Sequence, residues 1–103
     1  MAFTHTTGRY ASLGTISTIP GDVIDLFWTL LDRNLIGVFD LEPIINFELT
    51  KSADGNLAVT FSQPGDLTTV TFDTDYPFNE SWPCHFHAVD RLGRETIMTP
   101  SEI

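Results

Sequence analysis

Basic residues are scarce in this chain. Its 103 residues include five Lys and Arg against fourteen Asp and Glu, for a net charge of −9. Such a surface repels phosphate backbones, so direct nucleic-acid binding is not expected. Cysteine is nearly absent: with Cys84 alone, no intramolecular disulfide can form, which suits a reducing compartment better than a secreted, bridge-dependent scaffold. No apolar run approaches the length that spans a bilayer, and MAFTHTTGRY lacks the basic start and hydrophobic stretch of a signal peptide. A cytoplasmic protein with no membrane partner is the expectation. Internal repeats, low-complexity tracts, G-x-S-x-G, a phosphate-cradling Gly-rich loop and H-E-x-x-H are also missing. Without catalytic spacing, the chain reads as a non-enzymatic protein that needs no cofactor.

What is present is enough apolar sequence for one core. At 42% hydrophobic and 12% aromatic residues, the composition fits a single compact domain over 1–103. In IPGDVIDLFWTLLDRN, Val23, Ile24, Phe27, Trp28, Leu30 and Leu31 recur as the stripe of a core-facing helix, predicted at about 21–33. Asp22 and Asp25 complement its N-terminus, and Arg33 its end. The period then changes to two. Ile45, Phe47 and Leu49 alternate with polar residues, as do Leu57, Val59 and Phe61, with an Asp54-Gly55 turn signal between the runs. Pro64-Gly65-Asp66 makes a second turn before Val70 and Phe72. IGVFDL reads as a further β-prone run, 9–17 as a short strand or arm with Gly14 a possible bulge, and HFHAV as the last convincing strand. ETIMTPSEI is left as a closing strand or a loose turn. The predicted fold is α+β, one amphipathic helix packed on a four- to five-stranded, largely antiparallel sheet, with Glu48, Thr60, Ser62, Thr69, Thr71 and Asp73 on the opposite face.

Charge is unevenly placed. Residues 34–90 hold nine carboxylates and one base, Lys51, and so carry eight of the nine net negative charges. Within this stretch DYPFNESWP sets Tyr76, Phe78 and Trp82 in a proline-bounded loop flanked by Asp73, Asp75 and Glu80. Such aromatics either fold back as a lid on the core or form an interface anchor with an acidic rim. With Glu48 and Asp66, these six residues are the candidate partner-binding set, and a basic or nucleic-acid-binding protein is the natural complement.

PCHFHAVD invites a metal reading. Strand alternation divides it, with His85, His87 and Val89 on one face and Cys84, Phe86 and Ala88 on the other, where Cys84 is expected to be buried. His85 and His87 can bind one ion only if a third ligand arrives from Asp73, Asp75 or His5, and zinc-finger spacings are absent. Cys84 and His85 point apart, so they form no nucleophile pair. A metal-binding protein or small metalloenzyme centred on His85 and His87 stands as the alternative function, and a monomer or small homo-oligomer built through an edge strand as a third.

Arg9-Tyr10, Ser12, Gly14, Ile19-Pro20, Trp28, Leu31-Asp32 and Val38-Phe39-Asp40-Leu41 follow the pattern RY.S.G....IP, a Trp-containing helix, then VF.L, and AVDRLGRETIMTPSE supplies a matching final strand and turn. This resembles a family of small bacterial proteins of unknown function, common in Gram-positive bacteria and their plasmids and phages. The resemblance implies a cytosolic protein of mobile-element origin and carries no catalytic residue. Joined to the acidic surface, it suggests an inhibitor that presents carboxylates in place of phosphates to a host restriction or CRISPR nuclease.

Overall fold

In a computed structural model, residues 2–103 are described; Met1, the first residue of the domain expected over 1–103, lies outside the described residues. The chain runs β1 (Gly8–Ala11), α1 (Leu13–Ile16), α2 (Gly21–Leu30), a π-helical turn (Leu31–Leu35), β2 (Ile44–Lys51), β3 (Asn56–Ser62), β4 (Val70–Pro77), β5 (His85–Arg91), β6 (Arg94–Met98) and a closing 3-10 turn (Pro100–Glu102). The fold is α+β as predicted, but six strands form the sheet, not four or five, in the order β1-β6-β5-β2-β3-β4. All neighbours are antiparallel except β1 and β6, which run parallel. No helix among the described residues is long and apolar enough to cross a membrane.

The alternations that predicted strands also decide the two faces. Ile45, Phe47 and Leu49 of β2, Leu57, Val59 and Phe61 of β3, and Phe86 and Ala88 of β5 are buried together. Over them lies α2, with Val23, Phe27 and Leu30 turned inward. Phe27 stacks on Phe47 at 4.9 Å between centroids and meets Phe86 at 5.8 Å, so three aromatic rings fix where the helix crosses the sheet. Over the other sheet face no α-helix packs among the described residues, and Pro100 of the closing 3-10 turn borders Asn46, His85 and His87 there.

Three expectations are corrected and one open alternative is decided. The helix does not stop near residue 33: Ile36 N–H donates to Leu31 C=O at 2.9 Å, a wider turn that buries both Leu31 and Leu35. IGVFDL is not a strand; Ile36 and Phe39 make one isolated bridge around Gly37, whose φ of 83° turns the chain. Gly14 is no bulge but sits inside α1, where an added Cβ would lie 2.9 Å from the Glu102 carboxylate. Of the two readings of ETIMTPSEI the closing strand holds, because Leu92 (φ 53°) and Gly93 (φ 90°) reverse the chain from β5 into β6.

The termini are held on the covered side by charge. Glu95 on β6 is fully buried, accepting from Arg9 Nε at 3.0 Å and from the Thr6 hydroxyl at 2.5 Å. The other edge of the same guanidinium donates twice to Asp32, at 2.7 and 2.5 Å, and its plane lies 4.8 Å from the Trp28 ring centroid. Arg9 thus joins β1, the π turn and β6 in one clasp, with forked geometry that only Arg supplies. A second clasp closes the C-terminus: Glu102 accepts from Ser12 Oγ (2.6 Å), Gly14 N–H (3.1 Å), and Thr99 N–H and hydroxyl (both 2.8 Å).

Candidate functional site

The uncovered sheet face is where predicted site residues gather. Alternation places Asp73 on β4, Thr60 and Ser62 on β3, Asn46 and Glu48 on β2, and His85 and His87 on β5 on this side, whereas Asp75 lies where the β3–β4 register shifts and borders, with Asp73, an edge depression lined by Leu26 and Leu30 of α2. Short hydrogen bonds tie its middle together: Thr60 and Thr71 hydroxyls at 2.8 Å, and Asn46 Nδ2 donating to Ser62 at 3.3 Å. Thr69 lies one residue before β4, in the preceding loop.

The eight candidate partner residues do not form one cluster. Glu48 and Asp73 are exposed on the open face, Asp75 is exposed on the irregular part of the β4 edge, and Asp54 in the β2–β3 turn and Glu80 after β4 stand at the same end of the strands. Lys51 reaches Glu80 at 3.8 Å, a loose and solvated pair. Asp66 sits in the β3–β4 turn at the opposite end, with Asp40 and Glu42 on the approach to β2. Asp90 is withdrawn from the acidic surface altogether, its carboxylate accepting from Phe3 and Gly93 N–H groups at 2.8 Å each.

The aromatic segment is less irregular than its prolines suggest, since Tyr76 and Pro77 complete β4. Tyr76, Phe78 and Trp82 are half-buried and pack on the core, with Trp82 6.2 Å from Tyr76 and 6.0 Å from Phe78. Asn79 holds the turn between them by accepting from Ser81 N–H and hydroxyl. The three rings and Pro20 border a shallow depression beside the start of α2, with Glu80 on its rim.

His85 and His87 share the open face, opposite Glu48 and Asn46 respectively. His87 Nδ1 is buried without a hydrogen-bond partner among the described residues, and burial, then the neighbouring His85, holds this imidazole below its ordinary pKa of 6.5. None of the third ligands expected from sequence reaches them. Asp73 and Asp75 lie three strand spacings away, about 14 Å. His5 lies beside the turn at the far end of β5. Among the described residues no three His, Cys, Asp or Glu side chains converge to hold a metal ion. Cys84 is exposed, which corrects its expected burial: the chain bends there before β5 begins, so its side chain falls outside the strand's covered row.

Sequence reasoning missed Arg9, Asp32 and Glu95 as one unit. Arg9, Trp28 and Asp32 had entered only as points of a pattern, and nothing local indicates that residues 86 positions apart will share a proton-rich contact. The same holds for Ser12 and Gly14 with Glu102.

Fold and site together define a small α+β domain with one helix-covered sheet face and one polar, uncovered face. Residues 8–102 match the family described as Staphylococcal protein of unknown function, DUF960, and the chain belongs to that family. It is also similar to a solved structure, the crystal structure of the protein of unknown function from Enterococcus faecalis, at 35% identity with a TM-score of 0.89, covering 93% of this chain and 90% of that one. No curated protein matches the chain.

Proposed function

We propose that this protein is a non-enzymatic binding module that docks a basic partner protein on the acidic half of its open sheet face. The observation that carries the reading is the placement of Glu48 and Asp73 on a face with no α-helix over it among the described residues, edged by exposed Asp75 on β4 and, at the same strand ends, by Asp54 and Glu80. Strands make a rigid platform, so these carboxylates are held at fixed spacing and a partner's cations meet them without ordering a loop. Unpaired charge of one sign mainly accelerates and orients association.

The finer reading is an inhibitor of mobile-element origin whose partner is a host enzyme that grips nucleic acid, a restriction or CRISPR nuclease, with carboxylates standing in for phosphates. The family's Gram-positive setting supports the choice of host. The test is affinity capture from a Gram-positive lysate with the wild-type chain and with a Glu48→Lys/Asp73→Lys/Asp75→Lys variant. A basic, nucleic-acid-binding protein should be retained by the first and lost by the second. An identical retained set for both, or nothing basic retained at low or physiological salt, would refute the reading.

A further inference from the structure

The chain's few bases are not treated alike. Arg9 and Lys51 meet carboxylates, whereas Arg33 on the π turn, and Arg91 and Arg94 together, form no ion pair among the described residues. The latter two stand directly opposite each other in the β5–β6 register, next to the Leu92-Gly93 turn. Like charges facing across an antiparallel pair are destabilising, and here they persist in a protein with fourteen carboxylates. Strand alternation explains why no carboxylate relieves them. Their neighbours Asp90 and Glu95, also opposite each other, both point to the covered face and are occupied there by Phe3, Gly93, Arg9 and Thr6.

The two guanidiniums flank a depression of about 280 Å³ on the open face, lined otherwise by Val89, Thr96 and Met98. That is several times the roughly 30 Å³ share of one water. Arg94 is braced, its guanidinium carbon 5.1 Å from the Tyr10 ring centroid, which reduces the freedom lost on binding. We propose that this depression binds a phosphate monoester, with the Arg91 and Arg94 forks on the phosphate oxygens, the Thr96 hydroxyl donating beside them, and half-buried Met98 against the organic part. Forked guanidiniums match a tetrahedral dianion better than a single point charge does. The net charge of −9 opposes approach at low ionic strength, but at physiological salt its reach falls to about 8 Å. The site lies on β5 and β6, away from the carboxylates of the docking reading, and stands or falls independently of it.

The experiment is a backbone and Arg side-chain NMR titration of the full chain with inorganic phosphate, against chloride at matched ionic strength. Saturating shifts at Arg91, Arg94 and Thr96 are expected, with affinity at least tenfold weaker in Arg91→Gln and in Arg94→Gln. Both variants remove a like-charge contact at an exposed turn, so their melting temperatures should not fall. Shifts that rise without saturating, that chloride reproduces, or that persist in the double variant overturn the site. A free sugar phosphate and a phosphoserine peptide then identify the source: tighter binding of the peptide places the ester on a polypeptide, tighter binding of the sugar phosphate on a small molecule, and the site stands in both cases. Binding of neither above the chloride control overturns it.

Discussion

The two faces of the sheet handle charge in opposite ways. On the covered face every ionised group described has a partner at hydrogen-bond distance: Glu95 with Arg9 and Thr6, Arg9 with Asp32, Asp90 with two backbone N–H groups. On the open face Glu48, Asp73, Arg91 and Arg94 form no ion pair among the described residues. A buried charge without a partner would be costly, so folding itself demands the first arrangement. Nothing in folding demands the second. Charges of the covered face therefore report on stability, and those of the open face are free to report on binding.

The contrast breaks most visibly at Arg9. Arg9→Ala would leave Glu95 buried without its cation, and a loss of about 3 kcal/mol in urea unfolding is expected, a large share of the 5–15 kcal/mol that holds a domain of this size. Arg9→Lys keeps the charge but not the fork, so its loss should fall between those of Ala and wild type. If Arg9→Ala unfolds at the wild-type urea midpoint, the clasp is not structural.

Next in size comes the C-terminal clasp. The Ser12 hydroxyl, Thr99 and the Gly14 N–H hold the Glu102 carboxyl at about 2, against an ordinary 4.5. A depressed folded pKa means the unfolded chain takes up the proton first. This stabilisation is therefore complete above pH 4.5 and is lost as pH falls toward 2. Solvent exposure limits its size. Glu102→Gln should flatten the acid limb of a melting-temperature profile, and an unchanged limb would refute the assignment.

How far the sequence reaches follows from the range of the forces involved. The helix and β2, β3 and β4 were legible because their apolar periods are local, and the Asp54-Gly55 turn because φ at Gly55 is 82°. The pairing of the two ends was not: β1, read as a short strand or arm, has four residues and pairs with β6, some 86 positions later, and neither its length nor its composition announces that partner. The π turn escaped because Asp32 and Leu35 are positioned by Arg9 and the core, not by helix propensity. In the candidate site, alternation correctly put His85, His87, Glu48 and Asp73 on one face. It carried no information on strand order, which is what separates the histidines from Asp73.

A smaller pH effect arises at His87. Its folded pKa lies below 6.5 because the ring is partly desolvated, so the unfolded chain binds the proton more readily. Stability should decline as pH drops through 6.5 and level off once the folded imidazole also protonates. His87→Gln should remove that slope, and a slope that survives the substitution would assign it elsewhere.

The smallest expected effect is the most diagnostic of the comparison. Glu48→Lys and Asp73→Lys reverse exposed charges that make no ion pair among the described residues, and their Cα partners across the sheet, Thr60 with His85 for Glu48 and Ala58 for Asp73, are not carboxylates. Surface changes of this kind stay within about 0.5 kcal/mol, so the double variant should unfold at nearly the wild-type urea midpoint. The two sites lie on β2 and β4 with β3 between them, far enough apart for their small effects to add. A loss above about 1 kcal/mol would mean that the open face is also held by its charges, and the separation of folding from binding would fail. A neutral result leaves these carboxylates with no structural task, which is the condition under which their placement on one uncovered face is explained by a partner.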